Sequence, residues 1–150
     1  MYGMSGFRLA RELQIPRSRA DEFISSYFSR YSSIRLFIDS TVKFAEENGF
    51  VKTILGRERY IDGINSSNKN VKNGAERIAV NTPIQGSAAD IVKLAMISIN
   101  SRMEKEKLKS RLVLQVHDEL IFEVPLNEVD IMKTLVKDEM EGVMKLKAPL

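Results

Sequence analysis

Three consecutive ionisable side chains, His117, Asp118 and Glu119, stand between two strongly apolar segments of the sequence. Adjacent carboxylates repel each other unless solvent or a cation compensates their charge. Hard cations such as Mg²⁺ bind few carboxylates and complete their coordination with water and phosphate oxygens. The pattern therefore predicts that Asp118 binds a metal ion, and a two-metal site would need a further Asp from another strand. A solvated turn, which also favours Asp, is the alternative.

A second group of polar residues, Arg77, Asn81 and Gln85, recurs at every fourth position. On one continuous helix these side chains would lie on one face. Arg offers a planar fork of donors, and the Asn and Gln amides offer paired donors and acceptors, which suit phosphates and base edges. Alternatively, Thr82-x-x-Gln85 is a capping box, and Gln85 then serves only its own helix.

Two weaker signals lie elsewhere in the chain. Arg57 and Arg59 follow Gly56, and arginines at a glycine turn could grip phosphates. An exposed hairpin with two surface arginines is the alternative. At the start of the chain Tyr2 precedes Gly3, and this tyrosine either stacks on a base or belongs to the core.

The periodicity of the first half predicts helices, one hairpin and a loop. Pro16 begins one helix, and the next helix ends at Gly49. Residues 50–61 predict a hairpin that turns at 56–58, and residues 62–70 predict a loop. We expect Pro83 to separate a helix over 71–81 from a long buried helix that Thr82 caps.

The second half switches to a period of two residues and then returns to a helix. Residues 112–124 predict a β-hairpin. Gln115 and His117 are expected on one face of its first strand, with the opposite face formed by Leu112, Leu114 and Val116. Asn127 is expected to cap a final amphipathic helix.

Composition narrows the classes of chemistry. The chain has 150 residues, no cysteine, one histidine and a net charge of +3. Disulfide scaffolds, thiol nucleophiles and zinc sites of several cysteines or histidines are therefore excluded. No apolar run reaches the roughly 18 residues of a membrane helix, so we expect no membrane partner and a cytoplasmic protein. Basic residues concentrate in segments 52–77 and 102–111, either as nucleic-acid contacts or as solvated faces.

The order of these motifs resembles the C-terminal polymerase region of family A DNA polymerases, the bacterial DNA polymerase I type. Tyr2-Gly3-Met4-Ser5 is similar to the end of the family's fingers motif, and Thr53-x-x-Gly56-Arg57-x-Arg59-Tyr60 to the hairpin after the fingers helices. The stretch from Arg77 to Asp90 is similar to the long palm helix and its approach. Gln115-Val116-His117-Asp118-Glu119 is similar to the third sequence motif, so the resemblance spans essentially the whole chain.

The resemblance implies a DNA-directed DNA polymerase that transfers nucleotides by a two-metal mechanism. Asp118 and Glu119 would be the catalytic carboxylates that bind Mg²⁺, in a site completed by an Asp outside this chain. Tyr2 and Gly3 would lie near the templating base and the incoming dNTP. Primer–template DNA would contact Arg77, Asn81, Gln85, His117, Arg57 and Arg59.

The implied fold class is α+β. A helical fingers part would cover residues 1–50, a junction hairpin and loop 51–70, and a partial palm 71–150. The partial palm would hold the long buried helix, the 111–124 hairpin with the catalytic carboxylates, and the C-terminal amphipathic helix. The family's Asp-Tyr-Ser motif and the fingers Arg, Lys and Phe would precede residue 1. We therefore expect a fragment that needs a missing N-terminal polymerase segment and does not extend primers alone.

Two other functions remain open at this point. The absence of the family's first metal-binding Asp allows a non-catalytic nucleic-acid-binding module with a polymerase-like fold. A metal-dependent phosphohydrolase built on His117 and Asp118 is the other, although such sites need several more histidines. For a polymerase, the expected location is the bacterial cytoplasm, in association with the nucleoid, or a phage-infected cell.

Overall fold

The computed structural model describes residues 4–148, and contacts divide the chain into two compact units, one up to Gly86 and one from Ser87. Helices and two separate antiparallel strand pairs form the fold, which confirms the α+β class. The elements are α1 (Gly6–Leu13), α2 (Arg17–Arg30), α3 (Ser32–Asn48), β1 (Phe50–Lys52), β2 (Glu58–Tyr60), α4 (Lys69–Lys105), β3 (Arg111–Val116), β4 (Glu119–Glu123), a 3₁₀ turn (Leu126–Glu128) and α5 (Val129–Gly142). The division into fingers and palm parts at 50/51 and 70/71 stays a prediction.

Local signals set the element ends of the first unit. The α3 helix ends as predicted at Gly49, whose φ of 77° is accessible to glycine and whose N–H donates to Ala45 O over 2.8 Å. The β1 and β2 strands pair as a hairpin with Val51 opposite Arg59. The helices and this hairpin enclose a small core of Ala45, Val51, Ile61, Ile64, Ala75 and Ala79.

The predicted break at Pro83 is wrong, because α4 runs continuously from Lys69 to Lys105 with Pro83 inside it. Thr82 does not cap a helix. Its Oγ1 donates to Ile78 O over 2.7 Å, one turn back along the same helix, and its side chain is buried. A proline in a helix interior costs about 3 kcal/mol, so contacts from elsewhere must offset that cost.

The second unit packs a hairpin against two helices. Its core consists of Ile99 and Met103 of α4 with Met132 and Leu135 of α5, and partly buried hairpin side chains such as Phe122 pack against it. The prediction that Asn127 caps the last helix is wrong. Asn127 lies inside the 3₁₀ turn, and α5 begins after that turn without a side-chain cap.

The β3–β4 hairpin has the predicted strands but not the predicted faces. Leu112 pairs with Phe122, whereas Leu114 pairs with Ile121, so Val113 is an extra, bulged residue. Directly paired residues share a face, and one extra residue reverses the alternation beyond it. Two consequences follow from the register. Gln115, opposite Leu120, shares the face of Leu112 and Phe122. The other face carries Leu114, Val116 and Ile121, which are 52%, 40% and 46% exposed.

Candidate nucleic-acid and metal-binding site

The continuous α4 helix brings Arg77, Asn81 and Gln85 onto one element. Four residues advance a helix by slightly more than one turn, so the three side chains follow one another along one face. No helix begins near Thr82, which removes the capping-box explanation of Gln85. The three side chains share one face only if the helix is continuous through Pro83, and α4 meets this condition.

The three side chains of this row differ in how their polar atoms are used. Arg77 is exposed, and its Nε donates to Asn73 O over 3.1 Å, which orients the guanidinium along the helix. Asn81 is half-buried, and its buried Oδ1 has no hydrogen-bond partner among the described residues. Gln85 is exposed to solvent. A buried acceptor without a donor is costly, so the Asn81 amide is suited to a donor from outside the described chain.

The two hairpin arginines bind α4. The Arg57 Nη2 donates to Gly86 O over 3.2 Å, and the Arg59 Nη1 donates to Thr82 Oγ1 over 3.3 Å. The structure therefore brings Arg57 and Arg59 next to the segment that carries Asn81 and Gln85. Their predicted DNA contacts remain a prediction, and the helix contacts are a role that sequence analysis missed.

The tip of the second hairpin presents three ionisable side chains to solvent. His117 and Asp118 form the turn, Glu119 begins β4, and all three are exposed. His117 has a φ of 56°, in the left-handed region that disfavours side chains other than glycine, and its carbonyl accepts from Gln115 Nε2 over 3.0 Å. Among residues 4–148, no hydrogen bond or ion pair engages the Asp118 carboxylate. Asp118 and Glu119 are thus free to bind a cation.

The donor chemistry of this tip fits part of a magnesium site. Two adjacent carboxylates supply hard oxygen ligands. Within the described part of the chain, no group of three or more His, Cys, Asp or Glu side chains lies close enough to hold a metal. Any metal bound by Asp118 and Glu119 therefore needs further ligands from water, phosphate or another segment.

A buried carboxylate fixes the base of this hairpin, and sequence analysis missed it. Glu128 of the 3₁₀ turn accepts from Lys109 N at 3.0 Å, from Ser110 N at 2.9 Å and from Ser110 Oγ at 2.6 Å. The hydrogen bond from the Ser110 side chain, followed by that from the Lys109 backbone, lowers the pKa of Glu128 below its ordinary 4.5. These partners are separated from Glu128 by 18 and 19 residues, so no local pattern indicated them.

Part of the second basic segment is neutralised inside its own unit. Arg102 contacts Glu106 at 2.9 Å on α4 and Glu139 at 3.1 Å on α5. Glu139 also accepts from Ser98 Oγ. The bond from Ser98, followed by that from Arg102, lowers the pKa of Glu139. Arg102 therefore joins α4 to α5 through its ion pair with Glu139.

Two further predictions concern the ends of the chain and its surroundings. Tyr2 and Gly3 lie outside the described residues, so the predicted nucleotide and template contacts remain untested. Within residues 4–148, no helix combines the length and the apolar character that crossing a bilayer requires.

Comparison with known proteins identifies relatives over the full chain. DNA polymerase I of Caldicellulosiruptor bescii is 53% identical over 150 residues, which cover all of this chain and 18% of that relative. DNA polymerase I of Bacillus caldotenax is 47% identical over 150 residues, 17% of its length. The chain therefore spans less than a fifth of the length of these two relatives.

A solved structure and a family model agree with these relatives. The POL domain of Pol1 from M. smegmatis, in complex with DNA primer-template and dNTP, matches 99% of this chain and 26% of that domain at a TM-score of 0.95 and 42% identity. The model of DNA polymerase family A matches residues 1–150. The chain belongs to DNA polymerase family A.

Proposed function

We propose that this chain is the part of a DNA-directed DNA polymerase that binds primer–template DNA and supplies carboxylates to a two-metal site. The observation that carries the proposal is the exposed hairpin tip, where Asp118 and Glu119 are available to a cation. Two adjacent carboxylates on one turn repel each other, and a divalent cation would compensate their charge.

Asp118 and Glu119 are the residues of this chain that would hold Mg²⁺. When bound, the ions lower the pKa of the primer 3′-hydroxyl and neutralise charge that develops on the triphosphate. On the family resemblance we expect an Asp outside this chain to complete the site, and no group of three His, Cys, Asp or Glu side chains within residues 4–148 could hold a metal by itself. The chain's own contribution is to hold the two carboxylates on a hairpin anchored through Glu128 and Ser110.

The polar row on α4 and His117 are the proposed DNA contacts. Arg77 is exposed and its guanidinium suits a phosphate, and the exposed Gln85 amide suits minor-groove acceptors. Those acceptors occupy similar places in every correct base pair, so an amide there can check pair shape without reading sequence. Asn81 has a buried oxygen that a bound nucleotide or water would satisfy. Tyr2 and Gly3 are proposed to contact the templating base and dNTP on the basis of the family resemblance alone.

The test uses a chimaeric polymerase in which this chain replaces the matched 150 residues of the Caldicellulosiruptor bescii DNA polymerase I. Asp118→Asn keeps the shape of the side chain and removes its charge. We expect a loss of about 10³-fold in kcat with primer–template affinity retained, because a catalytic metal supplies several kcal/mol. Asp130→Asn, an exposed Asp on α5, is the matched control and is expected to retain activity.

Two outcomes would contradict the proposal. Equal activity of Asp118→Asn and the unmutated chimaera would remove Asp118 from the metal site. A chimaera that binds primer–template DNA without extending it, even before mutation, would support a non-catalytic nucleic-acid-binding module instead.

A further inference from the structure

The segment of α4 around Pro83 needs support from outside the helix. Pro83 has no N–H, so Ala79 O loses the donor that residue 83 would normally supply, and the proline ring crowds that carbonyl. Asn81 and Gln85 lie on either side of this point. Their orientation toward DNA therefore depends on whatever holds the helix here.

Arg59 holds the helix just before the proline. Its Nη1 donates to Thr82 Oγ1 over 3.3 Å, and that hydroxyl donates onward to Ile78 O over 2.7 Å. A hydroxyl that both accepts and donates has a fixed rotamer. Thr82 is only 5% exposed, so water does not substitute readily for the guanidinium.

Arg57 holds the helix just after the proline. Its Nη2 donates to Gly86 O over 3.2 Å, and its backbone N–H donates to Thr53 Oγ1 over 3.2 Å. A Cβ on Gly86 would lie 2.7 Å from Thr53 Cγ2, so the hairpin turn packs directly on the helix backbone. The two arginines thus contact the helix on both sides of Pro83.

We propose that Arg57 and Arg59 are positioning residues, which fix the α4 segment between Asn81 and Gln85 so that these amides meet the primer–template. The inference rests on the proposed function above and assigns the hairpin arginines a task other than phosphate binding. Arg59 acts through Thr82, and Arg57 acts through Gly86. Neither needs to touch DNA.

The experiment separates positioning from phosphate contact in the chimaeric polymerase. Arg59→Ala and Thr82→Val each break the same bond, and Thr82→Val leaves the arginine charge in place. We expect each to lower kcat/KM for primer–template on the order of 10-fold, as small misplacements do. The double variant Arg59→Ala/Thr82→Val is expected to have a kcat/KM no lower than that of either single variant. In all three variants, the slope of primer–template affinity against salt concentration is expected to stay unchanged. Thr134→Val is the matched control, because Thr134 Oγ1 makes the same bond one turn back, to Asp130 O over 3.1 Å, without an arginine.

Coupling to the polar row is measured in a variant that carries both Asn81→Ala and Gln85→Ala. In that background, Arg59→Ala is expected to have almost no further effect on kcat/KM, because both amides that it positions are gone. A phosphate contact would instead lower the salt slope by about 0.9, would leave Thr82→Val active and would add to the effect of the two amide substitutions. Any of those three results would overturn the inference.

Hydrogen exchange of the backbone amides of residues 78–86 tests the helix contact without requiring polymerase activity, so it separates this inference from the proposed function. We expect faster exchange in Arg59→Ala and in Thr82→Val than in Thr134→Val, whether or not the chimaera extends primers. Unchanged exchange would refute the helix contact itself. Absence of extension by the unmutated chimaera would refute only the proposed function.

Discussion

Gly86→Ala tests the close approach between the first hairpin and α4. Gly74→Ala is the control, because Gly74 lies in the same helix and a Cβ there meets nothing within 4 Å. Replacing a helix-interior glycine by alanine gains about 0.5–1 kcal/mol. At Gly86 the new methyl would lie 2.7 Å from Thr53 Cγ2, and Thr53 is a buried β-branched residue with a stiff side chain.

The two effects have opposite signs at Gly86. Overpacking of this kind costs about 1–3 kcal/mol, which exceeds or cancels the gain in helix propensity. We therefore expect Gly74→Ala to be stabilising and Gly86→Ala to lie between neutral and about 2.5 kcal/mol destabilising. The difference between the variants, about 1–3 kcal/mol, isolates the contact because the gain in propensity is common to both.

Urea unfolding followed by helical circular dichroism measures this difference. Both glycines lie in the unit up to Gly86, so the variants report on the same transition. Thr53→Ser removes the clashing methyl and keeps the Oγ1 that accepts from Arg57 N. It is expected to recover most of the loss in Gly86→Ala. Equal changes in the free energy of unfolding for the two alanine variants would refute the contact.

Three further outcomes are expected. The hydrogen bonds to Glu128 lower its pKa in the folded chain below the ordinary 4.5. The stability that they add is fully present above pH 4.5 and is lost as the pH falls through the lowered pKa of the folded chain. In urea titrations, acid should therefore destabilise Glu128→Gln less than the unmutated chain. His117 has a left-handed backbone, so His117→Gly is expected to raise the free energy of unfolding by about 0.5–1 kcal/mol in the same assay. Gln115→Gly is the control and is expected to give no such increase, because Gln115 does not have a positive φ. This chain alone, with Mg²⁺, dNTPs and primer–template, is expected to give no extension product on a denaturing gel, and product would show that the outside Asp is dispensable.

The continuity of α4 through Pro83 could not be predicted from the sequence, and the reason is physical. A proline in a helical pattern normally ends the helix, and Thr82 before it is a good capping residue, so local signals favoured two helices. The contacts that accompany a single helix come from Arg59 and Arg57, which are 23 and 29 residues away. Propensity is local and cannot include such partners. The stop at Gly49, by contrast, is determined by the residue itself, and it was predicted.

The second hairpin shows the same contrast between local and register-dependent features. Its strands and its turn at His117 and Asp118 follow from the period of two and the polar interruption. The bulge at Val113 leaves no mark in that pattern, because Val113 is as apolar as its neighbours. One extra residue was enough to move Gln115 onto the face of Leu112. Chemistry at the tip was predictable, whereas the environment of each face was not.

The predicted site residues also separate by whether their polar atoms are already used. Arg57 and Arg59 donate to α4, and each such bond must be broken or shared before the same atom binds DNA. Asp118 and Gln85 are exposed, and Asn81 carries a buried oxygen without a partner in the described chain. Residue type alone ranks arginine first for nucleic-acid contact. Availability of the polar atoms changes that order for the two hairpin arginines. It favours Arg77, Asn81 and Gln85 for direct contact with DNA, and it favours Asp118 and Glu119 for a cation.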